Sequence, residues 1–114
     1  MELPQGELVS GSPILILLRL SPRPGRLAVK FWIKDCQTRA TVDGPRWLLE
    51  ASPEGEQPSL LCFRTQVTLP LGCLEVSFEA IALDLETQRE SRKTRITRSV
   101  VPPHPLLDEK IYAP

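Results

Sequence analysis

One histidine, His104, and one tyrosine, Tyr112, are all that this chain holds of two residue types that carry much enzyme chemistry. His104 sits inside "PPHP", in a proline-flanked tail that could not hold a nucleophile, base and orienting group rigidly together. No glycine-rich phosphate loop, nucleophile elbow or metal-ligand spacing occurs. Catalysis is therefore not expected, and no cofactor or metal is implied. Asp35 and Asp43 could approach across a turn as paired carboxylates, but acidic residues at loop ends are ordinarily turn formers.

Cysteine is sparse as well. Cys36, Cys62 and Cys73 are an odd number at unrelated spacings, with no CxxC and no Cys/His cluster. That pattern signals neither a zinc site nor a disulfide framework, and it fits three reduced thiols in a cytosolic domain. Long apolar runs are missing: "ILILL" (14–18) ends at Arg19, far short of the roughly 20 residues of a membrane-spanning helix. The opening "MELPQGELVS" lacks the basic segment of a signal peptide. No membrane contact is expected, and cytoplasmic localisation follows. Net charge is absent too, with fourteen basic against fourteen acidic residues. A globally basic nucleic-acid binder is not indicated.

What is present is alternation. Apolar residues make up 41% of the 114 positions, enough for one hydrophobic core. The twelve prolines cluster, and none lies between Gly25 and Gly44 or between Leu71 and Val101. Proline removes a ladder donor, so these windows are where strands can run. "SPILILLRLSP" (12–22) is apolar on both faces, which predicts a strand in the middle of a sheet, covered on both sides. "RLAVKFWIKD" (26–35) points Leu27, Val29, Phe31 and Ile33 one way and Ala28, Lys30, Trp32 and Lys34 the other. "QTRATVDGP" (37–45) suggests a short strand ending in an Asp-Gly-Pro turn, "RWLLEA" (46–51) a second short piece, and "SPEGEQPS" (52–59) a solvated loop.

"LLCFRTQVTLP" (60–70) alternates again and leads through Pro70 and Gly72 into "CLEVSFEAIALD" (73–84), which together predict a hairpin. Leu74, Val76, Phe78, Ala80 and Ala82 fall on one side, assigned to the core, and Glu75, Ser77 and Glu79 on the other, assigned to water. Leu74, Phe78, Ile81 and Leu85 also fit helical spacing, but no N-cap residue precedes them and the period-two template matches five successive even positions. Strand is the better reading. About seven short strands separated by turn signals predict an all-β antiparallel β-sandwich.

"VTLPLGCLEVSFEAIALD" (67–84) resembles the E-to-F segment of bacterial Ig-like and fibronectin type III-like domains. On that resemblance "RLAVKFWIKD" corresponds to strand C and "PILILLRLSP" to strand B. The corner tyrosine of such modules is absent, and the cysteines do not imply their inter-sheet disulfide. The resemblance implies an interaction or structural module. The sequence divides into an N-terminal extension (1–11), a sandwich domain (12–101) and a proline-rich tail (102–114) carrying a minimal PxxP, Pro102 to Pro105.

Three surfaces could bind a protein partner. Trp32 between Lys30 and Lys34 suits an interface anchor, with packing beneath the tail or a neighbouring loop as the plainer alternative. Arg46 and Trp47 follow the Gly44-Pro45 corner, where Trp47 could equally plug one end of the sandwich. Arg89, Arg92, Lys93, Arg95 and Arg98 crowd a final strand, either guarding a sheet edge or binding an anionic partner. Acidic residues Glu75, Glu79, Asp84 and Glu86 could pair with them across the sheet. Nucleic acid is disfavoured because no aromatics interleave with these arginines.

Overall fold

Proline and glycine set the breaks, and the alternating segments between them become strands. The computed structural model describes residues 1–21, 26–49, 52–53 and 61–103. Those residues are all-β: β1 (Leu8–Val9), β2 (Pro13–Leu20), β3 (Leu27–Asp35), β4 (Thr41–Leu48), β5 (Ser52–Pro53), β6 (Leu61–Thr68), β7 (Glu75–Asp84) and β8 (Thr94–Val101). Two sheets result, ordered β1-β8-β7-β3-β4 and β2-β6-β5. All pairings are antiparallel except that of β1, which runs parallel to β8 and makes the larger sheet mixed.

One apolar cluster joins the two sheets. Ile14, Ile16 and Leu18 of β2 and Phe63 and Val67 of β6 gather with Val29, Phe31 and Ile33 of β3 and Val76, Phe78 and Ala80 of β7. The arrangement is compatible with a β-sandwich. Phe31, Phe63 and Phe78 are its largest closed-off side chains, each contributing roughly 1.5–3 kcal/mol of transfer free energy. Residues 1–11 are built into both sheets. Glu2 bridges to Leu17 on β2, β1 adds to β8, and Leu8 lies in the core.

Four local expectations need correcting. The segments at 60–70 and 73–84 do not form a hairpin: β6 pairs with β2 and β5, whereas β7 pairs with β3 and β8. The Pro70–Gly72 corner carries the chain from one sheet to the other, because each strand has its apolar face toward the same core. Leu74 precedes β7 and is 56% exposed rather than buried. β2 is not covered on both sides: its inward residues are buried, but Leu15 is 50% exposed, since no further layer lies over that face among the described residues.

The Asp-Gly-Pro sequence predicts a break between two pieces in 37–51, yet β4 runs from Thr41 to Leu48 across it as one strand. Gly44 (φ +90°) and the cis Gly44-Pro45 bond sit where the β3–β4 register shifts, between Phe31↔Arg46 and Ile33↔Asp43. Gly44 and Pro45 together oppose Trp32, and the one extra residue is absorbed as a bulge. A side chain at position 44 would meet the Phe31 carbonyl at 2.8 Å, so only glycine fits that close approach.

Candidate interaction face

β3 supplies the middle of the outer face of the larger sheet. Its alternation buries Val29, Phe31 and Ile33, which leaves Lys30, Trp32 and Lys34 on the other side, each half-buried. Register builds the face outward from there. Trp47 of β4 stands opposite Lys30, and Ile81 of β7 flanks Lys30 on the far side. The next rung runs from Trp32 through Glu79 to Arg95 of β8. A third runs Thr41, Lys34, Ser77, Thr97.

The two tryptophans share one cation. The Lys30 ammonium lies 5.7 Å from the ring centroid of Trp32 and 5.7 Å from that of Trp47, within cation–π range. Trp47 is 48% exposed, so it does not plug the end of the sandwich. Trp32 is the more covered of the two, packed between its neighbours on the sheet. An open indole, a second indole and flanking lysine stems make a patch that is apolar in its body and cationic at its rim.

Beneath the patch lies an acid that alternation assigned to water. Glu79 is only 3% exposed, and Ser77 is buried beside it. The Ser77 hydroxyl donates to Glu79 Oε2 at 3.1 Å, and Lys93 Nζ sits 3.0 Å from Oε1. Burial alone would raise the Glu79 carboxyl. The adjoining Lys93 ammonium and the Ser77 hydrogen bond, with the charge of Lys34, outweigh it and hold the group below its ordinary value. The cause of the burial is position: β7 is interior to the five-stranded sheet, and register sets Trp32 of β3 and Arg95 of β8 on either side of Glu79, with Lys93 paired to it. Counting alternation along one strand gives no sign of this; the signal lies in the β3–β7–β8 register.

Arg46 and Arg98 go elsewhere. Arg46 turns toward the smaller sheet, where it grips Asp43 with Nε and Nη2 at 2.7 and 2.8 Å and reaches Thr65 Oγ1 and the Gln66 carbonyl of β6 with Nη1 at 3.2 and 2.9 Å. Arg98 points to the opposite side from Arg95, three residues away on the strand, and donates to the Pro4 and Gly6 carbonyls at 3.2 and 2.6 Å. These two arginines tie the fold together, and their donors are engaged within the chain. Arg92 is exposed just before β8. Of the acidic residues expected to pair with the basic strand, Glu79 does so through Lys93. Asp84 instead caps its own turn by accepting from the Glu86 and Thr87 amides.

The remaining candidates are quickly placed. Asp35 accepts from the Gln37 and Thr38 amides, and Asp43 is held by Arg46, so the two carboxylates are separately engaged. No group of three His, Cys, Asp or Glu side chains converges to hold a metal among the described residues. His104 and most of the tail, including the end of the PxxP, lie outside them. No described helix is long and apolar enough to cross a membrane. A cleft of about 700 Å³ lies near the other end of β3, bordered by Arg19, Leu27, Asp84, Arg89 and Ser91. No histidine or cysteine lines it among the described residues.

None of the three cysteines is in a disulfide. Burial, then the nearby Glu75 carboxylate, raises Cys36; burial, then Asp35, raises Cys73. Thiolate is the reactive form, so a neutral thiol reagent at pH 8 is expected to label the half-buried Cys36 slowly. Cys62 and Cys73, both buried, should react only on denaturation. Mass spectrometry of the labelled chain checks this, and prompt labelling of Cys73 in the folded protein would contradict it.

Comparisons with family models, with curated proteins and with solved structures found no match to this chain.

Proposed function

We propose that this chain is a non-enzymatic protein-interaction or structural module of Ig-like or fibronectin type III-like kind, acting in the cytoplasm. Strand order supports the fold assignment. β8-β7-β3-β4 against β2-β6-β5 matches a G-F-C sheet extended by one strand and packed on B-E-D. Function does not follow from architecture alone, so the site carries the reading. Its single strongest feature is Trp47, 48% exposed and held against the Lys30 ammonium on the outer sheet face. Tryptophan anchors with cationic neighbours are the residue types enriched where partner proteins dock.

A second reading, an anionic partner such as nucleic acid or an acidic protein bound through residues 89–98, gains from one observation. The basic strand and the tryptophans share a face, with Arg95 one rung partner of Glu79 and Trp32 the other. Base stacking, however, needs aromatics interleaved with the cations, and residues 89–98 hold none. The protein partner is the better fit.

The test is a pair of truncations with a shared readout. Trp47→Ala should change the folding stability by less than about 1 kcal/mol, as for other surface positions, yet abolish capture of the partner from the source cell. Leu15→Ala, on the outer face of the smaller sheet, should leave capture intact. Equal capture by both variants would remove the outer face from consideration.

A further inference from the structure

We propose that the open edge of β8 accepts an extended acidic segment of a partner protein as an added strand. This deepens the interaction-module reading and rests on it. β8 has β7 along one side from Thr94 to Ser99, but on its other side β1 pairs only with Val100 and Val101. The Val100 amide donates to the Leu74 carbonyl at 2.8 Å, on the β7 side. Successive residues of an antiparallel strand turn their N–H and C=O to opposite sides, so those of Arg95 and Thr97 point away from β7. No described residue is bonded to them there. The same edge already takes strand partners where the chain provides them: the Ser10 amide donates to the Val101 carbonyl at 3.0 Å, just past β1.

Charge selects the occupant. Arg92, Lys93 and Arg95 are exposed along the open half of the edge. Lys93 is held by Glu79, while Arg92 and Arg95 make no ion pair with a described residue. A second copy pairing through its own β8 would set like charges opposite one another, which destabilises a cross-strand pair. An acidic strand would instead place a carboxylate beside Arg95 on the outer face. Its alternate residues would lie beside the half-buried Ile96, so they should be apolar. The site is short, because Arg98 holds the Pro4 and Gly6 carbonyls and the N-terminal segment closes that end. Main-chain bonds supply affinity and the alternating side chains supply selectivity, as in other strand additions.

The probe is a synthetic eight-residue peptide of alternating glutamate and valine, added to the full chain, with amide hydrogen exchange read residue by residue. The Arg95 and Thr97 amides should slow by about tenfold or more at saturation, while Ile96 and Arg98, already bonded to β7, stay unchanged. Methylating the peptide's alternate amides should weaken binding at least about tenfold, roughly 1.4 kcal/mol. Arg95→Glu should likewise reject this peptide and admit a lysine–valine one. No slowing at Arg95 and Thr97 with millimolar peptide, or equal binding of the methylated form, would overturn the proposal. Docking lost in Trp47→Ala but kept in Arg95→Glu would also overturn it, and would leave the tryptophan face standing. Docking kept in Trp47→Ala supports the edge irrespective of what becomes of that face.

Discussion

Phe78→Ala is expected to cost about 3–5 kcal/mol of folding stability, the range for truncating a core aromatic. Phe78 is fully closed off, opposite Ile33 on β3 and Ile96 on β8, and belongs to the cluster that joins the two sheets. Loss of the ring removes transfer free energy and leaves a cavity that rigid neighbours on two strands cannot fill. A single domain has a total stability of about 5–15 kcal/mol, so the variant sits near the edge of folding at 37 °C. Leu74→Ala, four residues earlier in the same alternating series, should shift stability by no more than about 0.5 kcal/mol because Leu74 is largely exposed. Urea denaturation of the two variants checks the contrast. Equal losses would mean that the inward and outward assignment along this segment is wrong.

Glu79→Ala is expected to cost about 2–3 kcal/mol at pH 7. Hydrogen bonds to a buried charged group contribute about 1.5–3 kcal/mol. Lys93 is half-exposed and can return to water, which keeps the loss below the 3–5 kcal/mol or so of breaking a fully buried pair. Glu79→Gln isolates the charge and gives the effect a pH signature. The folded-state pKa of Glu79 is depressed, so its contribution is fully present above the ordinary carboxylate pKa of about 4.3. It is lost as pH falls through the lower folded value. The stability gap between wild type and Glu79→Gln should therefore be widest at neutral pH and narrow in acid. A gap that stays constant from pH 7 to pH 3 would mean that packing, not the ion pair, sets it.

Much of the fold was legible because the strands obey a two-residue period. β3 is the plainest case: Val29, Phe31 and Ile33 of its inward set are in the core and Leu27 is half-buried. On the other face Lys30, Trp32 and Lys34 are half-buried, and only Ala28, small and at the start of the strand, is closed off against the pattern. Val76, Phe78 and Ala80 were equally readable. What a single strand's pattern cannot carry is its neighbours. A Pro/Gly corner between two alternating runs looks the same whether the runs pair or diverge to separate sheets, so the pattern predicts a hairpin where β6 and β7 in fact part. Gly44 and Pro45 resemble a turn, although a bulge uses the same residues inside a continuous β4.

The candidate site was legible in pieces. Lys30, Trp32, Lys34, Trp47 and Arg95 came from three separate segments, and only the register of four strands places them on one face. Arg46 and Arg98 share the residue type of interface anchors, but their geometry commits them to internal bonds. The covered Glu79 was missed for the complementary reason. A glutamate on a polar-patterned face signals solvent unless the long side chains of adjacent strands are counted over it.

The most direct measurement is site-specific photocrosslinking in cells that make the protein. Benzoylphenylalanine in place of Trp47 samples the outer face of the larger sheet, and in place of Leu15 it samples that of the smaller one. Discrete protein adducts from position 47 and none from position 15 are the predicted result. Adducts from position 15 with position 47 silent would place the working surface of the molecule on the opposite sheet.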